Sequence, residues 1–238
     1  MKELIISIII PVFNEAENIQ DFLKQFVNHS GIEIILVDGG STDETKAKIK
    51  EFIEGDSLIR LITDSKTGRA NQMNYGATIA SGKILLFLHA DTMLPVNYQV
   101  IIQNILSRKN VILGAFQLKI NSSQKSLRLV EKMVNLRSRF LSLPYGDQGF
   151  FLTQEDFHRI GGFSDLPIME DFNFVQKAKR HGKIVIADAA VITSPRRWQK
   201  LGVIKTTTIN QLIIIGYYLK ISPDRLRNFY HLSKINRK

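Results

Sequence analysis

Three groups of residues in this chain have the types and spacing to do chemistry. Asp91 follows the apolar run Ile84-Leu85-Leu86-Phe87-Leu88 by three positions. A lone carboxylate there suits a hard divalent cation whose other ligands are phosphate oxygens. The competing role is a helix N-cap, because Pro95 favours a helix start just beyond it. The second group is Glu170-Asp171. Acidic residues at a helix start are favoured by the helix dipole alone, whereas the chemical role is a general base that deprotonates a hydroxyl nucleophile. The third is Gly68-Arg69-Ala70-Asn71-Gln72-Met73-Asn74. Glycine permits close backbone approach, a helix start leaves N–H groups free, and the arginine fork matches phosphate. The chain has no cysteine, which excludes a disulfide scaffold, a thiolate zinc site and a thiol nucleophile. No serine-protease triad, zincin or Walker A pattern competes for the chemistry.

The elements that must position these groups alternate. Leu4 to Ile10 is a nearly unbroken β-branched run, as a strand buried on both faces requires. Asn14 and Glu17 form a capping-box pattern, and Ile19, Phe22, Leu23, Phe26 and Val27 predict a helix over 15–28. Residues 33–37 form a second strand; Ser41 and Glu44 cap a helix bearing Ile49, Phe52 and Ile53. A third strand at 58–62, a helix at 70–80 and a fourth strand at 84–88 complete a doubly wound α/β pattern. Such sheets bind ligands beyond the carboxyl ends of their strands. Pro11 to Glu15, Asp38, Asp64 and His89 to Asp91 all fall at those ends. The later half is less regular: a strand over 111–120, a basic amphipathic helix over 126–141, a glycine-rich turn at 144–151, helices at 154–160 and 171–181, and a strand at 184–186. Two C-terminal helices meet near Ser222-Pro223, with Ser222 as cap. No linker or repeat divides the chain, which predicts one domain over 1–238.

The 238 residues carry a net charge of +10, unevenly placed. Residues 1–120 hold 12 Lys/Arg against 13 Asp/Glu; residues 121–238 hold 20 against 9. The basic half suits phosphates or anionic lipid. No nucleic-acid-binding motif accompanies it, so a nucleic-acid partner is not expected. The longest late apolar run, Leu212 to Leu219, is too short to cross a bilayer, and no leader pattern precedes Pro11. A cytoplasmic protein is expected.

Taken in order, the motifs resemble the family 2 glycosyltransferases with the GT-A fold. They are Ile8-Ile9-Ile10-Pro11-Val12-Phe13-Asn14-Glu15, Val37-Asp38-Gly39-Gly40-Ser41-Thr42-Asp43, Gly68 to Asn74, Leu88-His89-Ala90-Asp91, Gly146-Asp147-Gln148-Gly149 and Glu170-Asp171. Ser194-Pro195-Arg196-Arg197-Trp198 is similar to the closing segment of a short soluble branch of that family. The resemblance implies a doubly wound, mostly parallel sheet, with 1–95 binding a nucleoside diphosphate sugar, UDP-sugar favoured. Residues 96–238 would be an acceptor-side α+β half with C-terminal helices. It implies that Pro11, Phe13 and Glu15 line the nucleoside pocket and Asp38 meets the base. Asp64, Gly68, Arg69, Asn71, His89 and Ala90 would complete the donor contacts, and Asp91 would hold Mg²⁺ or Mn²⁺. Asp171 would be the base of an inverting transfer, with Glu170 as the alternative base. Gly146, Asp147, Gln148, Gly149, Arg196, Arg197 and Trp198 would face the acceptor or the sugar.

Two departures stand out. His89 occupies the first aspartate position of the family's DxD motif, and Gly39 stands where many relatives carry a second aspartate. They leave room for an alternative, a non-catalytic sugar-nucleotide-binding relative. Leu212, Ile215 and Leu219 on one helical face, in a basic half, suggest peripheral contact with the inner face of the membrane and a lipid-linked or amphiphilic hydroxyl acceptor. The competing account buries that helix against the domain or in a homodimer and leaves a small soluble acceptor.

Overall fold

The computed structural model describes residues 6–27, 30–54, 58–63 and 67–235. The first four major strands are β1 (Ile6–Val12), β2 (Ile32–Asp38), β3 (Ile59–Ile62) and β4 (Ile84–Phe87). They lie parallel in the order β3-β2-β1-β4. Their β-branched runs are buried on both faces. Ile6, Ile8 and Ile10 point into one core layer with Phe22, Ile49 and Ile102, while Ile9 points into the other with Met73 and Ala77. Helices α1 (Ile19–Leu23), α2 (Thr45–Phe52) and α3 (Arg69–Thr78) supply those layers. Gly76 lets α3 lie close on the sheet, since a Cβ there would come within 2.5 Å of Ile9 Cγ2.

The remaining strands extend the same sheet: β5 (Thr92–Met93), β6 (Val111–Ile120), β7 (Phe150–Thr153) and β8 (Lys183–Thr193). The order across all eight is β3-β2-β1-β4-β7-β6-β8-β5. β7 is antiparallel to β4 and β6, β8 runs parallel to β6, and β5 closes the edge antiparallel to β8. Around this half lie α4 (Tyr98–Leu106), α5 (Lys125–Leu141), α6 (Gln154–Ile160), α7 (Glu170–Ala178), α8 (Arg196–Leu201), α9 (Val203–Tyr218) and α10 (Pro223–Ile235). The doubly wound, mostly parallel sheet expected from the sequence is present. Among the described residues no helix is long and apolar enough to cross a membrane.

Several boundaries differ from the sequence expectation, for identifiable reasons. The first helix does not begin at 15. Asn14 takes a left-handed conformation (φ 53°), and its Oδ1 accepts from the Thr42 N–H. The Glu15 N–H donates to Thr45 Oγ1, so the chain stays tied to the neighbouring loop until Ile19. Ser41 is likewise no cap: its Oγ accepts from the Asn14 N–H, and α2 begins at Thr45. Asp91 caps nothing either, because β5 intervenes and α4 starts at Tyr98 behind Asn97. β8 runs to Thr193 through Ala187-Asp188-Ala189-Ala190, residues of low strand propensity whose strand state comes from pairing with β6. At the C-terminus a short α8 precedes the two expected helices, and the Ser222 carbonyl accepts from the Leu226 N–H at the start of α10.

Candidate active site

The site forms where the strand order reverses about β1, beyond the carboxyl ends of β1 and β4. Two loops are first locked to each other. Asn14, Glu15 and Ala16 of the β1 loop donate their N–H groups to Ser41, Thr45 and Asp43 of the β2 loop. Gln72, on α3, donates its Nε2 to the carbonyls of Val12 and Val37, tying the ends of β1 and β2 to the helix that carries Arg69. That helix starts at Gly68, whose φ of 109° only glycine adopts freely.

A cavity of about 570 Å³ opens at these ends. Pro11, Phe13, Glu15, Gly68, Arg69, His89, Ala90 and Asp91 line it, with Val12, Gly39, Thr67 and Gln72. The pairing Thr92↔Thr193 brings the end of β8 to this rim, and the Ser194 N–H donates to the Asp91 carbonyl. Arg196 thereby reaches back across the fold. Its Nη2 lies 2.9 Å from Glu15 Oε2 and 3.7 Å from Asp91 Oδ2. Burial raises the Glu15 carboxyl above its usual range, and the Arg196 hydrogen bond and charge pull it back.

Beside His89 stands a 3-10 turn, Gly146–Gln148. The Gly146 N–H donates to Asp171 Oδ2 at 2.8 Å. A Cβ on Gly146 would sit 3.3 Å from both Asp171 Oδ2 and His89 Nε2, so a side chain there would push these groups back by a few tenths of an ångström. His89 is neutral at physiological pH, because burial, then the charges of Arg69 and Arg197, push its pKa well below the ordinary value. Glu170 is buried beside Asp171, and burial followed by that neighbour raises its carboxyl pKa. Its Oε1 stands 3.7 Å from Arg69 Nη1, holding the arginine toward the cavity.

Asp147 is the most perturbed carboxyl of the turn. Its Oδ1 is sealed from solvent without a hydrogen-bond partner, and burial, offset in part by Arg137 and reinforced by Asp171, pushes its pKa up to about 6. The folded protein thus holds this proton more tightly than the unfolded chain, a contribution present below pH ~4 and lost as pH rises through about 6. Asp147→Asn is therefore expected to be more stable than the parent at pH 8 by about 2 kcal/mol, a rise of several degrees in Tm. The difference should shrink when both proteins are melted at pH 5. An equal difference at both pH values would remove the buried charge as its cause.

Other expected site residues sit elsewhere. Asp38 is buried under its loop, with Oδ2 accepting from the Gly40 and Ser41 N–H groups, and does not line the cavity. Asn71 turns away to the Thr67 carbonyl and Asp165. Asp64 lies outside the described residues. Gln148 faces no acceptor. It is fully buried, donating to the Phe116 carbonyl and accepting from Ser138 Oγ and the Tyr145 N–H. Gly149 follows the turn at φ 65°. Trp198 packs on the core layer beneath the sheet, as an anchor. Arg197 donates to Asn210 Oδ1 and lies over the Tyr230 ring, yet stays near enough for its charge to act on His89 and Asp147. Sequence reasoning gave no role to Gln72, Arg137 or Tyr145. The Arg137 guanidinium stacks 3.4 Å from the Tyr145 ring centre, stiffening the turn that carries Asp147. No sequence signal marks that pair, since its partners lie on different elements.

The architecture is shared with known proteins. It superimposes with a TM-score of 0.69 on a mannosyltransferase, PcManGT from Pyrobaculum calidifontis, solved with GDP-Man and Mn²⁺, at 17% identity over 98% of this chain and 70% of that one. TarS 1-349 of S. aureus, solved with UDP, gives 0.64 at 18% identity, over 84% and 63% of the two chains. These are GT-A glycosyltransferases, and the fold here is theirs. The model of glycosyl transferase family 2 matches residues 7–164, and the chain belongs to that family. Similar sequences include Glycosyltransferase AglE of Haloferax volcanii, 42% identical over 91 residues, covering 36% of this chain and 30% of that protein. Glycosyltransferase GlyG of Streptococcus pneumoniae is 33% identical over 102 residues, covering 41% and 33%. The matched stretch thus spans about a third of each of these curated relatives.

Proposed function

We propose that the protein is an inverting glycosyltransferase that moves a sugar from a nucleoside diphosphate sugar to an acceptor hydroxyl, with UDP-sugar the favoured donor class. The observation that carries this reading is a cavity whose cationic groups stand near a held carboxylate. Arg69 lines the cavity, Arg196 reaches its Glu15 and Asp91, and Asp171, held by the Gly146 N–H, neighbours Glu170, which meets Arg69. A diphosphate is a poor leaving group until its charge is neutralised, and fixed cations in a cleft do this without reorganising. Asp171 accepts the acceptor's proton as the hydroxyl oxygen bonds to the anomeric carbon. The bond from that carbon to the diphosphate oxygen breaks on the opposite face, the electron pair leaving with the phosphate. One displacement inverts the configuration.

Fold neighbours solved with Mn²⁺ make a divalent ion part of the reading. Among the described residues no group of three His, Cys, Asp or Glu is gathered as a ready-made metal site. Asp91 is nevertheless a part-exposed carboxylate on the cavity wall, and one carboxylate with phosphate oxygens is a common way to hold Mg²⁺ or Mn²⁺. Such an ion would add Lewis-acid neutralisation of the departing diphosphate. Asp91 would hold it, and Arg196, freed from Asp91, would keep Glu15.

A thermal-shift screen of UDP-, GDP- and dTDP-sugars with and without Mn²⁺ tests the donor reading, because selective binding stabilises the folded state. A selective rise of about 5–11 °C at ligand near 100 times Kd is expected for one base, larger with Mn²⁺. No response to any sugar nucleotide would overturn it.

A further inference from the structure

Helix α5 turns a mixed face inward. Leu127 is buried in the core with Val130 and Val134 packed beside it, and Glu131, Asn135 and Ser138 also reach into the protein. The polar part of that face answers β6, which pairs with β7 only at Gly114 and Ala115 among the described residues. Asn135 serves the edge beyond by accepting from the Leu118 N–H and donating to its carbonyl, and Glu131 accepts from the Ile120 N–H. The outward face carries apolar residues as well. Leu129, Met133, Leu136 and Phe140 are 54% to 78% exposed. At 100° per residue they fall within about 60° of arc and form a stripe about 16 Å long. Core packing needs none of it.

We infer that this outer face of α5 docks on an anionic lipid bilayer. Lys125 and Lys132 project along one flank of the stripe, joined by Arg139, which pairs with the exposed Asp188, and the single acid of the helix, Glu131, is buried and paired with Arg128. An exposed apolar stripe with a basic flank is the pattern of helices that lie in a membrane interface. A second copy of the chain is the poorer occupant. A two-fold contact through this face sets the same basic flank against itself, whereas anionic headgroups supply the complementary charge. α9 lies beside α5 and adds exposed Leu212, Ile215 and Leu219. From the inner side of the same helix, Arg137 and Ser138 hold the turn carrying Asp147, so a seated α5 brings that turn toward the bilayer. The inference goes beyond the proposed transfer and does not depend on it.

Flotation on vesicles of phosphatidylcholine with about one-third phosphatidylglycerol tests it, against pure phosphatidylcholine and at low and high salt. The full chain is expected to float with the anionic vesicles and to weaken as salt rises. Leu136→Glu/Phe140→Glu should lower partitioning at least about tenfold. Both sites are exposed, so the fold should persist, as an unchanged circular dichroism spectrum will report. Lys125→Glu/Lys132→Glu should lower binding to the anionic vesicles as a second, charge-only probe. A parent protein that stays unbound at low salt overturns the inference, as does binding undiminished in both variants. A dimer in sedimentation that the Leu136/Phe140 variant makes monomeric assigns the face to a second copy instead. Flotation without any sugar-nucleotide response would overturn the transferase reading and leave the docking surface standing.

Discussion

Replacing Asp171 by asparagine is expected to lower sugar transfer by about 10²–10⁴-fold while nucleotide-sugar affinity stays near that of the parent. The geometry separates this residue from its neighbour. Asp171 is part-exposed, receives the Gly146 N–H on Oδ2, and stands beside a neutral His89 that cannot compete for it as an ion-pair partner. Glu170 is buried and occupied with Arg69. The two variants should therefore fail differently. Asp171→Asn should reduce kcat with little change in donor KM, whereas Glu170→Gln should weaken donor binding through a displaced Arg69. Initial rates over a donor series, with calorimetry of donor binding, distinguish the two patterns. Full activity in Asp171→Asn with a dead Glu170→Gln that still binds donor would exchange the assignments.

How far the sequence reached follows from which interactions are local. In a parallel sheet every strand delivers its next residues to the same edge, so Pro11, Glu15, Arg69 and Asp91 were legible as one wall once the strands were recognised. What periodicity cannot supply is the partner of a side chain. Arg196 meets Glu15 across 181 positions, through the β5–β8 pairing that no local pattern announces. Asn14 and Ser41 have cap chemistry and use it on each other's loops, so the cap signal was present and its target was tertiary. Helix α5 shows the same limit on a larger scale. Its amphipathic period is plain, yet no local pattern shows that Asn135 turns inward beside Leu127 to serve the Leu118 backbone on the edge of β6. The family resemblance points Gln148 toward the acceptor or the sugar, whereas the Phe116 carbonyl with Ser138 and Tyr145 occupies its amide.

Asp91→Asn is expected to abolish the metal-dependent part of donor binding and leave the fold intact. Asp91 is the one carboxylate of the His89-Ala90-Asp91 segment, so its loss removes the anionic ligand that a cation-bound diphosphate needs there. The fold should persist because the Asp91 carbonyl still accepts from the Ser194 N–H, and Arg196, which stands 3.7 Å from the Asp91 carboxylate, keeps its closer hydrogen bond to Glu15. Arg196 complicates the electrostatics in a useful way. In the free protein it partly neutralises Asp91 at 3.7 Å while hydrogen-bonding Glu15 at 2.9 Å. Arg196→Ala should therefore strengthen Mn²⁺ association with the free protein while weakening diphosphate binding, since one cation is removed from the rim. Calorimetry of a UDP-sugar with and without Mn²⁺ reads all three proteins. The parent should gain at least about tenfold in affinity with Mn²⁺, a difference of about 1.4 kcal/mol, and Asp91→Asn should gain none. An undiminished Mn²⁺ effect in Asp91→Asn would take this residue out of the metal role and leave the diphosphate charge to Arg69 and Arg196.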